Sequence, residues 1–502
     1  MKFIENFPFI TIVLSLFSAI ICYALKDKRA RFVSYGLLGA GILMSASVLL
    51  YNLTSETGYF VYRMGHYDSP IGNEIAAGVL EPFFVLLFEV TMLLSLMGGS
   101  QKIQQDVDPS KHRLFCIMVN LTHAALTALC YTNDIFTAYV FVEICTIASC
   151  ALLMARKKTR PLVAATRYML FSLIGSSLLL VGIVLLYSTT GHLLFPQLYS
   201  AIQTLWATGR YTIPLTVALG LIVSGLAIKS GLCPFHWWMR DTYATATAAA
   251  SGILSGVVSK VYIFLLIKII GRVISREIYV ESGIHTVLLI FGVAGMIIGS
   301  VSAIHTHNLN FMLAYSSAAQ IGYIYMGLGL GTDAALLASL FQVVAHTLTK
   351  PMLFLSAMGL SETVHRRQDF DALRGSAHWN PVAGIGYVAG SLSMVGIPIF
   401  AGFIPKLLFS ISAFGHSWKT YVILVALAIS TILNVVYFLR TMINVYGPER
   451  VALDRRRITL RNAKAFSVMV LLMALINLIV GLQAQPIISL FEKGIHIFTT
   501  IR

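Results

Sequence analysis

Charged residues are scarce in this sequence. Asp, Glu, Lys and Arg make up 11% of its 502 residues, whereas a soluble globular protein carries about 25%. Hydrophobic residues reach 57%, and the mean hydropathy is +0.80. This composition excludes a water-soluble globular protein and predicts a chain that lies almost entirely within a membrane.

Cysteine is also sparse, and its spacing excludes several kinds of site. The six cysteines lie apart in apolar stretches, without a CxxC pair, which favours free buried thiols over disulfides or a cluster site. The sequence also lacks a P-loop, a Rossmann glycine pattern, HExxH and GxSxG. We therefore expect no redox site, hydrolytic site, metal or cofactor on this chain.

Long apolar runs occupy most of the chain. A run of about 18 residues or more can cross a bilayer as a helix. The sequence predicts an all-α polytopic membrane protein with fourteen spans, near residues 8–25, 32–52, 77–99, 113–131, 135–155, 165–188, 213–232, 245–270, 284–304, 309–330, 333–359, 381–415, 419–445 and 466–483.

The formal net charge of +15 could indicate nucleic-acid binding, but its distribution argues against this. Most of the 36 lysines and arginines fall in alternate loops, from 26–31 to 447–464. Loops rich in these residues stay in the cytoplasm, so both termini are predicted on the outer side. The first span lacks an Ala-x-Ala cleavage site and is followed at once by positive charge, so we expect a true span rather than a signal peptide.

Polar residues near the outer ends of the early spans have local explanations. The alternation of residues 54–75 predicts a short β-hairpin on the membrane surface. Glu81 and Glu89 share one face of span three; Glu81 lies near the outer end, where it could reach water, and Glu89 lies deeper. Asp134 begins span five and is predicted to cap that helix.

Two charged residues deep in the spans call for an explanation. Glu143 lies about 13 Å down span five. A carboxylate at that depth is either protonated and inert or paired with a cation on a neighbouring helix, and buried acids usually mark ion or proton routes. Lys229, in the otherwise apolar span seven, is the natural partner.

Span seven breaks just after Lys229, in the passage GLCPFH. Pro234 removes a backbone donor there, and His236 lies beside the backbone groups that the break frees. His236 and the tryptophans after it could instead anchor the helix at the interface. In span eight, Lys260 lies mid-helix and is predicted to be functional, whereas Lys268 is expected to snorkel to the interface.

Spans ten and eleven contain further polar groups. His305 and His307 have the His-x-His spacing of a ligand pair, but without a nearby Cys, Asp or Glu we favour polar turn or proton-relay residues. Tyr315 can hydrogen-bond across helices. His346 and Lys350 are four residues apart and share a helical face, and such a pair can pass protons.

Span twelve repeats the features of span seven, five spans later. It is interrupted at Pro398 and then carries Lys406. Interrupted spans at corresponding positions of two halves indicate inverted repeats with the site at their centres. We predict four parts: an N-terminal three-helix segment (1–110), two inverted five-helix repeats (111–272 and 273–446), and a final helix with its tail (447–502).

Five passages together resemble one family over essentially the whole chain. They are TNDIFTAYVFVEI in span five, AIKSGLCPFHWWMRD in span seven, LAYSSAAQIGY in span ten, AHTLTKPMLF in span eleven and GIPIFAGFIPKLLF in span twelve. The chain resembles the antiporter-like membrane subunits of respiratory complex I, Mrp-type cation/proton antiporters and membrane-bound NiFe hydrogenases. Within that family it is similar to the M and N types of NADH-quinone oxidoreductase chain and to the MrpD type of antiporter chain.

The resemblance implies a fourteen-helix fold with two inverted repeats, broken helices seven and twelve, and a hydrophilic axis in the membrane plane. By motif position it implies that proton translocation uses Glu143, Lys229, Lys260, His346, Lys350 and Lys406. The implied mechanism is electrostatic. A signal from a partner alters the Glu143–Lys229 pair, which changes the pKa of Lys260 and drives protons along the axis.

The sequence departs from the family pattern in three places. Before LAYSS, where the family commonly has an acidic residue and Lys-Arg, this chain has Asn308, Asn310 and Phe311. This argues against a cytoplasmic salt bridge and indicates an unusual partner. Glu81 replaces the usual aspartate of span three. The lack of a long lateral helix after span fourteen argues against the distal complex I subunit type.

The resemblance therefore implies a subunit that translocates protons, or exchanges Na⁺ for H⁺, in an energy-converting complex of a bacterial or archaeal cytoplasmic membrane. Its expected partners are other integral membrane subunits, including further antiporter-like ones, and the lipid bilayer. Iron–sulfur, flavin, NiFe or quinone cofactors would belong to those partners. The alternative is a subunit of an Mrp-type Na⁺/H⁺ antiporter, which ion gradients alone would drive. An intramembrane enzyme is disfavoured because its motifs are missing.

Overall fold

The computed structural model describes residues 3–67, 72–156, 159–415, 418–449, 454–459 and 462–500, most of which are helical. The first helices are α1 (Phe7–Ala24), α2 (Asp27–Thr54), α3 (Leu80–Gly98), α4 (Ser100–Asp106), α5 (His112–Tyr131), α6 (Ile135–Met154), α7 (Thr159–Thr190), α8 (Phe195–Ala207), α9 (Thr212–Ser230), α10 (Trp237–Thr245), α11 (Ala248–Ile253) and α12 (Ser259–Ile269). They are followed by α13 (Arg276–Glu281), α14 (Ile284–His305), α15 (Leu309–Leu328), α16 (Asp333–Glu362), α17 (Phe370–Leu373), α18 (Ser376–Trp379), α19 (Pro381–Val395), α20 (Phe403–Ala413), α21 (Trp418–Tyr446), α22 (Lys464–Leu482) and α23 (Ala484–Thr500).

Twelve helices in the described part of the chain are long and apolar enough to cross a membrane. One of them, Ala248–Ile274, joins α11 to α12 through a π-helical turn. Predicted span ten corresponds to α15, and predicted span twelve to the shorter pair α19 and α20. The all-α polytopic membrane fold is confirmed, and the count of fourteen spans remains a prediction.

The predicted surface hairpin is present. Strands β1 (Phe60–Arg63) and β2 (Glu74–Ala77) pair antiparallel, with Phe60 opposite Ala77. Burial alternates along β1, as expected for a strand with one face against the protein. Residues 68–71, within the predicted hairpin, lie outside the described residues. The hairpin side of the bundle is called the outer face here and the side of loop 26–31 the inner face.

Both predicted helix breaks are also present. The helix α9 ends before Gly231 and α19 ends before Gly396, and both glycines adopt left-handed φ values, +85° and +88°. A glycine in this conformation ends a helix at low cost because it has no Cβ to clash. The chain resumes as a helix only at α10 and α20, so the last carbonyls of α9 and α19 lack the amide partners of a continuous helix.

Two predictions for the outer ends of the spans are wrong. Glu81 does not reach water: it is fully buried and pairs with Arg272. Lys268 does not snorkel: it is fully buried and donates to the carbonyl oxygens of Cys130 (2.6 Å) and Thr132 (2.5 Å). Both residues are buried by tertiary packing, because neighbouring elements cover this end of α12.

The helix α23 covers part of this region, and it lies beyond the last of the fourteen predicted spans. Its Phe498 ring lies 4.4 Å from the Arg272 guanidinium carbon. Its Phe491 is fully buried and stacks on Phe84 of α3, with ring centroids 5.9 Å apart. The amphipathic α23 thus seals the region around the Glu81–Arg272 pair.

An ion-pair network joins distant parts of the chain at the inner face. Arg366, just after α16, contacts Asp106 at 2.8 Å and Glu362 at 3.2 Å, and Glu362 also contacts Lys102 at 2.5 Å. Arg156 follows α6, lies 3.7 Å from the same Asp106, and donates to the last carbonyls of α10. The network links α10, which follows the first helix break, to the end of α16.

Glycines allow a close contact between α14 and α15. A Cβ atom on Gly322 would collide with the backbone of Met296 and of Gly292. Gly299 likewise faces the backbone of Ala319. Small residues that let two backbones approach are a principal source of helix association in membranes.

We predict that Gly322→Ala lowers stability, because a methyl group at this contact forces α14 and α15 apart. Overpacking of this kind costs about 1–3 kcal/mol. Thermal unfolding of the detergent-solubilised chain measures it. The matched control is Gly220→Ala on α9, where an added Cβ meets open space. Equal melting temperatures for the two variants would contradict the described packing.

Candidate functional site

The predicted ion pair between spans five and seven is formed. Glu143 Oε1 of α6 lies 3.6 Å from Lys229 Nζ of α9. Ser176 of α7 donates a hydrogen bond to the same carboxylate. The Lys229 side chain is fully buried, whereas 25% of the Glu143 side chain is exposed at the wall of the bundle. The pair therefore has one end inside the protein and one at its surface.

A threonine holds the lysine more closely than the carboxylate does. Lys229 Nζ donates to Thr146 Oγ1 at 2.8 Å, and Thr146 lies one helical turn beyond Glu143. The Thr146 hydroxyl lies 3.4 Å from the hydroxyl of Tyr262 on α12, and the Lys229 ammonium lies 5.7 Å from the Tyr262 ring centroid. Two hydroxyl groups thus connect Lys229 to the helix that carries Lys260.

Lys260 is satisfied by its own helix. It is fully buried, donates to Ser259 Oγ at 3.1 Å and donates to the carbonyl oxygen of Ser255. Ser255 belongs to the π-helical turn Leu254–Val258. Such turns disturb the regular main-chain ladder and occur often at functional sites. Here the turn provides a carbonyl acceptor for an ammonium group that no carboxylate contacts in the described part of the chain.

His346 and Lys350 lie beside Lys260, on α16. The π-helical turn packs directly on this helix, since a Cβ atom on Gly256 would collide with Pro351. Lys260 and Lys350 are both within electrostatic reach of the His346 ring. His346 is fully buried, and neither ring nitrogen has a hydrogen-bond partner among the described residues. This imidazole is free to accept or donate a proton on either side.

Lys350 and Lys406 both bind main-chain oxygens. Lys350 donates to the carbonyl of Leu313 at 2.9 Å and to the hydroxyl of Ser316 on α15. Lys406 of α20 donates to the carbonyl of Val395 at 2.5 Å. Val395 is the last residue of α19, where carbonyls lack helical partners and carry partial negative charge. Lys406 is therefore the cap of the broken helix rather than an isolated cation.

A short polar bridge lies between Lys350 and that break. Thr349 Oγ1 lies 3.3 Å from Ser393 Oγ on α19 and accepts from Asn477 of α22 at 2.7 Å. Ser393 is two residues before Val395, which Lys406 contacts. Glu143, Lys229, Lys260, His346, Lys350 and Lys406, with the polar groups that contact them, are hereafter called the central line, which extends from α6 to α20.

The remaining predicted residues lie near the line or apart from it. His236 is buried in the first break, stacks on Trp237 with ring centroids 5.2 Å apart, and has no hydrogen-bond partner on either ring nitrogen among the described residues. Pro234 and Pro398 are exposed in the two breaks.

Two other predicted residues, Asp134 and Tyr315, lie apart from the helix breaks. Asp134 caps α6 as predicted, since its carboxylate accepts from the Thr137 amide at 2.6 Å. Tyr315 does not join the line: it lines a cleft at the inner face with Arg240 and His305. Its neighbour Ser316 makes the contact to Lys350 instead.

The departure before LAYSS has a local structural role. Asn308 caps α15, because its side chain accepts from the amides of Asn310 and Phe311. The Phe311 ring lies 4.5 Å from the guanidinium carbon of Arg240, an arrangement that is attractive by itself. A cap and a cation–π contact thus occupy the positions where the family commonly has charged residues.

Sequence reasoning missed the hydroxyl and amide groups that connect the charges. Thr146, Tyr262 and Thr349 had a signal, since they lie within one turn of Glu143, Lys260 and Lys350. The missed residues are Thr146, Ser176, Ser255, Tyr262, Thr349, Ser393, Thr431 and Asn477.

The line carries more positive than negative groups: four lysines and one carboxylate. Two like charges about 10 Å apart repel by roughly 1.7 kcal/mol at an effective dielectric constant of about 20. Protonation of one lysine therefore disfavours protonation of the next. Such an array can transmit a change at one end as a shift in proton occupancy along its length.

Comparison with known proteins identifies the family of this chain. Residues 132–433 match the family model described as NADH:quinone oxidoreductase/Mrp antiporter, TM. The chain is 30% identical to NADH-quinone oxidoreductase subunit N of Desulforudis audaxviator, over 96% of this chain and 97% of that protein. It is 26% identical to the D-type Na⁺/H⁺ antiporter chain of Alkalihalophilus pseudofirmus, over 94% of this chain and 92% of that protein.

The fold also matches a solved structure along its whole length. A chain of the membrane-bound sulfane sulfur reductase, an archaeal respiratory membrane complex, superposes with a TM-score of 0.88 at 22% identity, covering 99% of this chain and 98% of that one. This protein is thus an integral membrane protein with an antiporter-like fold. The chain belongs to the NADH:quinone oxidoreductase/Mrp antiporter family of membrane subunits.

Proposed function

We propose that this subunit moves protons along the central line within a multisubunit, redox-driven membrane complex. The observation that carries the proposal is the buried line itself, in which Lys229, Lys260, Lys350 and Lys406 each meet an oxygen acceptor on the way from α6 to α20. Buried lysines are costly in a membrane and mark ion or proton pathways. Iron–sulfur, flavin, NiFe or quinone cofactors would reside in partner subunits.

Transport begins at the partly exposed Glu143. A neighbouring subunit that moves or changes charge beside this carboxylate alters its attraction for Lys229. The ammonium already bonds Thr146 more closely than Glu143, so a small displacement weakens the ion pair. Lys229 then repels a proton on Lys260 more strongly, and that proton passes to His346 and on to Lys350.

The two helix breaks are the centres of the proposed repeats, 111–272 and 273–446. Lys229 lies in the last turn of α9, and Lys406 contacts the carbonyl end of α19; ion sites at interrupted helices are typical of transporters with inverted repeats. The basic loops support the proposed orientation with both termini on the outer side. Part of the basic loop 447–464 and the chain ends lie outside the described residues.

An Mrp-type Na⁺/H⁺ antiporter subunit is the second candidate. The 26% identity to a Na⁺/H⁺ antiporter chain favours it. The two candidates differ in their partners and their driving force. Affinity purification of the tagged native complex, followed by mass spectrometry, identifies redox subunits or their absence. Vesicles that pump protons on addition of an electron donor, with no imposed ion gradient, would exclude the antiporter alternative.

We predict that Lys260→Ala lowers proton translocation by the intact complex about a hundredfold, the typical contribution of one proton-transfer group. The measurement is proton uptake by sealed vesicles, followed with a pH-sensitive dye. Lys28→Ala, at an exposed position on the inner face, is the control and should translocate normally. Unchanged uptake in a correctly assembled Lys260→Ala complex would refute the proposed path.

We also predict a role for Thr146, which sequence analysis did not assign. Thr146→Val keeps the shape but removes the hydroxyl between Lys229 and Tyr262. We expect translocation to fall about fivefold or more, the lower range for a coupling interaction. Thr189→Val is the matched control, because Thr189 donates only to carbonyls of its own helix. Equal translocation rates for the two variants would show that the Thr146 hydroxyl has no role in proton transfer along the central line.

A further inference from the structure

A second buried cluster of ionisable groups lies away from the central line, among the first helices. Glu89 Oε1 of α3 lies 2.8 Å from His123 Nε2 of α5. The other ring nitrogen, Nδ1, lies 2.8 Å from Ser15 Oγ of α1. At most 1% of any of these three side chains is exposed. The proposed transport path uses none of them.

Four helices shape this cluster. The helix α2 contributes Gly41, where an added Cβ would collide with Glu89 Oε1 and crowd His123 Nε2. The Ser15 hydroxyl also lies 2.6 Å from the carbonyl of Thr11 on its own helix. The Glu89 Oε2 atom is buried without a hydrogen-bond partner among the described residues. Close packing from four helices therefore fixes the positions of the three polar side chains.

The hydrogen bonds accommodate two protonation states without movement of heavy atoms. In the loaded state both ring nitrogens of His123 carry protons: Nε2–H donates to the Glu89 carboxylate, Nδ1–H donates to Ser15, and Ser15 donates to Thr11. In the unloaded state Nδ1 has lost its proton, and the Ser15 hydroxyl turns to donate to it. A serine can fill both roles because its hydroxyl is at once donor and acceptor.

Charge balance distinguishes the two states. The loaded cluster is neutral, because a carboxylate faces an imidazolium. The unloaded cluster keeps one negative charge in a low-dielectric interior, which is costly unless positive charge lies nearby. Glu89 lies within electrostatic reach of Cys130 and Tyr131 of α5. Glu81 of α3 and Lys268 of α12 also lie within reach of Cys130, and Arg272, in the turn after α12, pairs with Glu81.

Two of those groups are cations on the same long helix as Lys260. Lys268 lies two helical turns beyond Lys260, and it shares Cys130 as a neighbour with Glu89. The helices α1 and α2 face the cluster with Ser15 and Gly41, which carry no charge. Arg272 is already paired with Glu81, so Lys268 is the cation on this helix that can offset a negative charge left at Glu89.

We propose that Glu89, His123 and Ser15 form a second proton-binding site, at which His123 takes up and releases one proton. On release, the Nδ1–H bond breaks and its electron pair stays on the ring. The proton passes to the Ser15 hydroxyl, and Ser15 gives its own proton to a water molecule, so one proton leaves in all. Glu89 stays ionised and holds the Nε2–H bond in both states.

The test is solid-state NMR of the full chain in lipid bilayers, with ¹⁵N-labelled histidine, titrated from about pH 5 to about pH 9, the range around an ordinary imidazole pKa. His123→Gln identifies the His123 signals by their loss. We expect the Nδ1 signal to change from protonated to unprotonated within this range, while Nε2 remains protonated. A His123 signal that keeps one protonation state throughout would overturn the proposal, because a purely structural pair would behave in that way.

Ser15→Ala provides a second test that leaves all charges in place. It should change the Nδ1 signal and leave the Nε2 signal unaltered, whereas Ser18→Ala, another buried serine of α1, should change neither. An unchanged Nδ1 signal in Ser15→Ala would also overturn the proposal. These measurements are independent of translocation, so failure of this site and failure of the central line are distinguishable.

Discussion

A buried ammonium group needs oxygen atoms around it, and this requirement shapes the centre of the protein. Lys260 binds a carbonyl in a π-helical turn, and Lys406 binds the carbonyl that ends α19. Regular helices offer few such acceptors, because most of their carbonyls already bind amides of the same helix; the Leu313 carbonyl that Lys350 contacts is an exception. Irregular backbone is tolerated at membrane depth only inside protein or beside water. The helix breaks and the buried charges therefore stabilise each other.

Much of this arrangement could be predicted from the sequence because its signals are local. Apolar run length, a glycine–proline break and the depth of Glu143 depend on a few neighbouring residues. The bridging groups could not be predicted: hydroxyl residues are common in the spans, and only helix packing selects Thr146 or Ser393. The errors at Glu81 and Lys268 have the same origin, because residues far along the chain, including those of α23, bury that region.

The long helix Ala248–Ile274 connects the two groups of ionisable residues. Lys260 belongs to the central line, and Lys268, two turns further along, faces the carbonyls at the end of α5. Arg272, near the end of the same helix, pairs with Glu81 of α3, so the N-terminal segment outside the proposed repeats contacts a charged helix of the first repeat. The buried Glu89 of this segment gives it an electrostatic role in addition to a packing role.

The exposed edge of Glu143 has a consequence for biogenesis. A quarter of this side chain lies at the wall of the bundle, so whatever covers the wall sets the field felt by Lys229. Lipid tails would cover it in a newly inserted chain, and another subunit would cover it after assembly. Under the proposed mechanism, an unassembled chain therefore lacks the input that starts proton movement, and the position of one carboxylate would limit a proton leak during membrane insertion.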